Sequence, residues 1–262
     1  MTIQRCNVLG VGVSAVNPAT ALTTINQWIT SGEHNYVCVT GVHGVMESQL
    51  DLQLKQIHNR AGLVTPDGMP LVWINWLHGN STVDRVYGPD LMLAVAESGL
   101  TVNGESQNGF KHFLYGGREG VADQLAFRLR ERFPGIQIVG TYCPPFRPLT
   151  ESEDSQVIGL IDSSGADIVW VGLSTPKQER WMAAHHNKLQ ASVMIGVGAA
   201  FDMHAGLLTQ APHWMQRSGT EWLFRLLVEP RRLWRRYLVN NPRFVMLMLL
   251  QLLKLRSFHI EY

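Results

Sequence analysis

One carboxylate in this chain has an unusual setting. Residues 63–73 read LVTPDGMPLVW, so Asp67 stands between Pro66 and Gly68 with apolar runs on both sides. Pro-Asp-Gly is turn chemistry wherever it occurs, and a cap on the helix expected from Met69 is the plain reading. The sharper reading is a catalytic acid or base held at a strand end. Apolar flanks would partly desolvate the carboxylate, raise its pKa and strengthen it as a base. On these residues alone the cap reading leads, because turn and cap aspartates outnumber catalytic ones.

The elements that must position such a group can be read from the pattern. Tyr36–Thr40 (YVCVT) is a short β-branched run and reads as a buried strand. Val8–Val13 reads as a strand pair or a bent strand, Pro18–Thr30 and Val42–Asn59 as helices, Gly62–Thr65 as a brief strand and Met69–Leu77 as a helix. Residues 102–109 (VNGESQNG) read as a linker. From Lys111 onward strands alternate with helices, and the strand exits are glycine-rich, which predicts a parallel, Rossmann-like sheet. The fold class expected is α/β. It has that sheet in the C-terminal half (106–216), a smaller α/β N-terminal half (1–105) and a helical C-terminal appendage (217–262).

Ligands of open α/β sheets bind outside the carboxyl ends of the strands. The exits here are Thr40-Gly41, Thr65–Gly68, Gly116-Gly117, the stretch Gly172–Glu179 and the stretch Gly196–Asp202. Gly116-Gly117 could admit a phosphate to backbone N–H groups, although glycine after a strand is common. Gly198 and Asp202 stand at a similar exit and are substrate-binding candidates on that ground. GVGAAFD lacks the spacing of a dinucleotide fingerprint and the lysine of a P-loop, so no nucleotide cofactor is expected. There is no D-x-D, and the ten histidines are scattered. The adjacent His185-His186 would point about 100° apart on a helix. No metal site is expected.

The chain has 262 residues with 22 basic and 21 acidic side chains, a balance that argues against nucleic acid as partner. The distribution is uneven. Residues 217–262 hold nine Lys/Arg and three acids, which leaves 13 basic and 18 acidic residues in the body. Such a basic tail suits a negatively charged surface. Trp222, Leu223, Leu226, Leu227, Leu233, Trp234, Tyr237 and Leu238 recur at helical spacing around Pro230, and Arg225, Arg232, Arg235 and Arg236 interleave with them. Two short amphipathic helices meeting at Glu229-Pro230 would suit a membrane interface. The competing use of these faces is packing on the body. Phe244–Leu253 is too short to span a bilayer, and is either a third interfacial helix or a homo-oligomer contact. Cys6, Cys38 and Cys143 are too widely spaced for a disulfide framework or a zinc site, so a cytoplasmic setting is expected.

Six segments together resemble one family: TPDGMPLVW, RVYGPDLM, FLYGG, GLSTPKQERWM, GVGAAFDMHAG and the stretch APHWMQRSGTEWLFRLLVEPRRLWRRYLVNNPRF. They are similar to the WecG/TagA/CpsF glycosyltransferases of bacterial surface-polysaccharide assembly, in the family's order and over nearly the whole chain. The resemblance implies an inverting transferase, and the lack of D-x-D and of clustered ligands makes metal independence the expectation. The transferase would move a sugar from a UDP-sugar, a substrate and not a cofactor, to a polyprenyl-diphosphate-linked saccharide. It would work peripherally on the inner face of the cell membrane. Carried over by motif, the base falls on Asp67, a threonine on Thr40, an arginine on Arg85 and a glutamine on Gln178. Arg225, Arg232 and Arg235 become candidates for contact with membrane or diphosphate. Where the family reads Thr-x-Asn, this chain has Thr40-Gly41-Val42, a departure that bears on which sugar is used. A catalytically inactive scaffold that binds a lipid-linked glycan or a partner enzyme is the rival reading.

The chemistry fits. Inverting transfer needs a base for the acceptor hydroxyl and a means of stabilising the departing diphosphate. Without a metal that charge falls to cations or helix N-termini, and a guanidinium such as Arg85 can bind phosphate oxygens bidentately. The plainer alternatives are that Arg85 pairs with Asp84 or Asp90, and that Gln178 sits in a solvated first helical turn.

Overall fold

The computed structural model describes residues 3–102, 105–106 and 109–262. In chain order the elements are β1 (Arg5–Val8), β2 (Val11–Ser14), α1 (Pro18–Ser31), β3 (Asn35–Thr40), α2 (Val42–Glu47), α3 (Leu52–Arg60), β4 (Leu63–Pro66), α4 (Met69–Leu77) and α5 (Gly88–Leu100). A short pair, β5 (Thr101–Val102) and β6 (Glu105–Ser106), is followed by β7 (Lys111–Gly116), α6 (Val121–Arg132), β8 (Gln137–Tyr142), α7 (Glu151–Ser163), β9 (Ile168–Gly172), α8 (Lys177–His185), β10 (Val193–Gly196) and α9 (Ala200–His204). The C-terminal run is α10 (His213–Arg217), α11 (Glu221–Val228), α12 (Pro230–Leu238) and α13 (Asn240–Leu252).

Six strands form a parallel sheet in the order β4-β3-β10-β9-β7-β8. This is the expected Rossmann-like α/β sheet. It is not confined to the C-terminal half, because the apolar runs of β3 and β4 make them sheet strands as well; every residue of β4 is buried. The helix expected over Val42–Asn59 is two helices. The Asp51 side chain accepts from the Leu54 N–H and caps α3, and an N-cap side chain of this kind starts a helix anew. Of the linker expected at 102–109, residues 103–104 and 107–108 lie outside the described residues.

The chain packs as two compact units that interleave in sequence. One holds residues up to 18, 39–87 and 210–262; the other holds 19–38 and 88–209.

In the second unit the core is the strand layer. Phe113, Leu114, Tyr115, Val169, Trp170, Val171, Val193 and Ile195 are all buried, and Leu125 and Leu129 of α6 are buried with them. Gly116, at φ +129, shows why glycine ends β7: a Cβ there would lie 2.7 Å from the carbonyl of Gly172 on the neighbouring β9. Such contact excludes any side chain.

In the first unit β1 and β2 form an antiparallel hairpin, and the C-terminal segment is sewn to it. Leu9 N–H donates to Gln251 Oε1, Gln251 Nε2 to Asn7 O, Asn7 Nδ2 to Phe258 O, and Asn59 Nδ2 to Glu261 O. These bonds tie the helical C-terminal segment into this unit. The expected helix pair around Glu229-Pro230 is present as α11 and α12. Both readings of its faces hold in part: Leu233 and Tyr237 are buried, while Leu223, Leu227, Trp234 and Leu238 are exposed. None of the helices of the described residues is long and apolar enough to cross a membrane.

Candidate active site

Asp67 is held by backbone before its side chain does anything. Its N–H donates to Thr40 O at 2.9 Å, which ties the exits of β3 and β4 together. Gly41 follows Thr40, and a Cβ there would stand 3.1 Å from Asp67 O. Val86 N–H donates to Pro66 O at 3.0 Å and so brings Arg85 alongside. The cap reading of Asp67 does not survive. The N-cap of α4 is Gly68, there is no side-chain cap bond, and Asp67 Oδ1 is enclosed without a hydrogen-bond partner among the described residues.

The charge around this carboxylate is dense. Arg85 Nη2 lies 3.8 Å from Asp67 Oδ1. The same nitrogen donates to Glu221 Oε2, and Nη1 donates to Gln216 Oε1 at 3.0 Å. The guanidinium sits over the Tyr87 ring at 4.0 Å. Its Nε–H is buried and unpartnered among the described residues, as is that of Arg236. A buried donor with no acceptor is costly unless a ligand supplies one. Arg85 does not pair through its guanidinium with Asp84, whose Oδ1 instead accepts from the Arg85 backbone N–H at 2.7 Å.

Burial pushes the Asp67 carboxyl up to about 7. Arg85, Arg225 and Arg236 act against that rise, and Glu221 adds to it. The side chain as a whole keeps 28% exposure, but none of it is at Oδ1, so a group approaching from solvent meets the rest of the carboxyl. His43 is driven down to about 3 by burial, then by Arg236 and Arg225, and is therefore neutral near pH 7. Burial pulls Arg236 below its usual value, and Asp67 offsets part of that fall.

The first unit thus brings together Thr40, Asp67, Arg85 and Arg225. Thr40 contributes through its backbone and is buried. Two other tail arginines stand apart from this group. Arg232 pairs with Glu229 at 2.6 Å on the surface, and Arg235 lies over Trp234 at 5.2 Å. Arg236, one residue further on, faces the site instead. It joins Glu221, Gln216 and Tyr87 as site residues that sequence reasoning did not assign. Only helical phase in α12 separates Arg235 from Arg236, and no short motif records it.

The second unit groups Gln178 with Gly198. Gln178 is 3% exposed and Glu179 fully buried, so the solvated-turn reading of this stretch is wrong. Glu179 Oε1 accepts from Thr175 Oγ1 at 2.8 Å and from Gln178 Nε2 at 3.1 Å. That fixes the amide and leaves Gln178 Oε1 buried with no partner among the described residues. Gly198 lets this oxygen come near, since a Cβ there would be 3.3 Å from it. Gly116 and Gly117 serve close backbone packing here. Gly117 N–H donates to Gly172 O at 3.0 Å. Asp202 pairs with Arg118 at 3.4 Å. Among the described residues, no three His, Cys, Asp or Glu side chains are grouped as a metal would require.

A family model for the glycosyl transferase WecG/TagA/CpsF family matches residues 6–258. The chain belongs to this family. Among its relatives is an N-acetylglucosaminyldiphosphoundecaprenol N-acetyl-beta-D-mannosaminyltransferase of Bacillus spizizenii, 29% identical over 199 residues, 76% of this chain and 72% of that protein. A protein of the same name from Staphylococcus aureus is 28% identical over 183 residues, 69% of this chain and 66% of that protein. As a WecG/TagA/CpsF protein the chain is a glycosyltransferase.

Proposed function

We propose that this protein transfers an N-acetylhexosamine from a UDP-sugar to a polyprenyl-diphosphate-linked saccharide, with inversion and without a metal. The observation that carries the reading is Asp67, whose carboxyl titrates at about 7 and shares its surroundings with Arg85, Arg225 and Arg236. A base poised near neutral pH suits proton removal from a sugar hydroxyl. Three guanidinium groups suit a departing diphosphate.

The step balances as follows. The acceptor hydroxyl oxygen bonds to the donor's anomeric carbon, its proton passes to Asp67, and the bond from that carbon to the diphosphate oxygen breaks. The electron pair of that bond leaves with UDP, where Arg85 and Arg236 offer their unpartnered Nε–H donors. Attack on the face opposite the diphosphate turns an α-linked donor into a β product, and the two relatives are named for a β-mannosaminyl transfer. In the second unit Gln178 holds its carbonyl oxygen without a partner among the described residues, which suits it to accept a hydrogen bond from a ligand N–H or O–H.

The acceptor's polyprenyl chain requires work at a membrane. The exposed Leu227, Trp234 and Leu238 with Arg231, Arg232 and Arg235 form the surface for it, apolar and cationic together. This proposal puts the protein peripherally on the inner leaflet, where UDP-sugars are made.

The test is UDP release from UDP-N-acetylmannosamine with a GlcNAc-diphospho-lipid acceptor, followed by NMR of the product's anomeric configuration. Turnover that Asp67→Asn abolishes, yielding a β product, supports the reading. An α product, or an Asp67→Asn enzyme within a few-fold of wild type, overturns it.

A further inference from the structure

Arg85 is held more firmly than a diphosphate-binding arginine needs to be. Gln216 lies in α10, and Glu221 opens α11; between them lies Gly219 at φ +73, where a Cβ would come within 2.7 Å of the Trp73 ring. That close approach sets the path of the chain so that both acceptors reach one guanidinium. Gln216 Oε1 takes Nη1 and Glu221 Oε2 takes Nη2. Tyr87 closes one face at 4.0 Å. The Arg85 and Glu221 side chains are only 10% and 15% exposed. What remains of the fork is the unpartnered Nε–H and the side of Nη2 that lies 3.8 Å from Asp67.

We infer that Glu221 is a positioning residue for the transfer reaction: it clamps Arg85 beside Asp67 and sets a second carboxylate on the same guanidinium. This rests on the reading of Asp67 as the base. A guanidinium alone at this distance would stabilise the carboxylate and weaken it as a base. Glu221 answers the same guanidinium, so Arg85 can serve a diphosphate without silencing its neighbour. The charged and titratable groups that act at Asp67 are Arg85 and Tyr87 from the segment after α4, Glu221 and Arg225 from α11, and Arg236 from α12. Glu221 is the one carboxylate among them, and it acts upward on Asp67 where the three arginines act downward.

The experiment is the pH profile of kcat/KM, read as UDP release from UDP-N-acetylmannosamine with a GlcNAc-diphospho-lipid acceptor, for wild type, Glu221→Gln, Glu221→Asp and Glu221→Ala. Glu221→Gln keeps an acceptor for Arg85 and removes the charge. Its acid limb should move down by about half to one pH unit. Glu221→Ala should lower kcat by about tenfold or more, because Arg85 is released, and Glu221→Asp should recover part of that loss. An acid limb of Glu221→Gln that coincides with wild type, or a Glu221→Ala enzyme with wild-type kcat, overturns the inference. If Glu221→Ala does not fold, the isosteric Glu221→Gln profile decides alone. Asp67→Asn separates the two levels. If it is active, the base assignment has failed; if it is inactive and the Glu221→Gln limb is unmoved, only the role of Glu221 has failed.

Discussion

Arg85 Nη2 stands 3.8 Å from Asp67 Oδ1 while it donates to Glu221, so one guanidinium links two carboxylates of opposite fate. One carboxylate is bonded and the other has an oxygen enclosed without a partner. The second is the one free to take a proton.

Asp67→Asn should therefore separate activity from stability. Burial pushes the Asp67 carboxyl from an ordinary 3.8 up to about 7 in the folded chain. The folded state holds this proton more tightly than the unfolded chain, so ionisation counts against folding as pH rises from about 4 to 7. The amide variant should lose nearly all transfer yet melt above wild type at pH 8, with the gap closing at pH 4. Thermal melts at the two pH values check it, and a variant that melts lower at pH 8 contradicts the assigned shift.

Arg85→Lys should lose activity by about 100-fold. A lysine ammonium cannot hold Gln216 and Glu221 and still present a donor to a diphosphate. UDP affinity by titration calorimetry should fall along with kcat.

Arg236→Ala tests a residue with no motif behind it. If its Nε–H meets the diphosphate, KM for the UDP-sugar should rise by about tenfold or more, while Arg235→Ala should leave KM unchanged. Equal effects from the two would remove the distinction that the phase of α12 makes.

Gln178→Ala should raise the donor KM, and Glu179→Ala should do so as well, because Glu179 fixes the amide through Gln178 Nε2. Glu179→Ala should also cost about 1–3 kcal/mol of stability, since it strips the partner from buried donors. Donor kinetics beside a urea melt would show both effects.

Membrane attachment should be separable from folding, but not by truncation. Cutting after Gly219 removes Gln251, Phe258 and Glu261, whose groups tie down β1, the turn after it and α3, so the first unit should fail to fold. The pair Trp234→Ser with Arg235→Glu changes only exposed groups and should keep the melting point. It should pellet less with anionic vesicles, since each basic residue at the surface adds about 1 kcal/mol of attraction. Unchanged pelleting would argue that this face serves another purpose.

The sequence by itself determined what is local. The strand YVCVT, the helix Met69–Leu77 and the helix break at Glu229-Pro230 follow from periodicity and turn chemistry, and the Pro-Asp-Gly turn marked Asp67 as a carboxylate between apolar runs. It could not separate a helix cap from a base at Asp67, because both use the same residues at the same turn. The fold sets aside the cap, because the N-cap of α4 is Gly68 and Asp67 Oδ1 is enclosed without a partner among the described residues, while a backbone bond ties Asp67 to Thr40, 27 residues away in the chain. Nor could it join Arg85 to Glu221, a contact across 136 residues, or choose Arg236 over Arg235. A charge acts through distance and dielectric, which depend on what has been packed around it. Only the folded chain, which packs residues 210–262 into one unit with residues 39–87, fixes those distances.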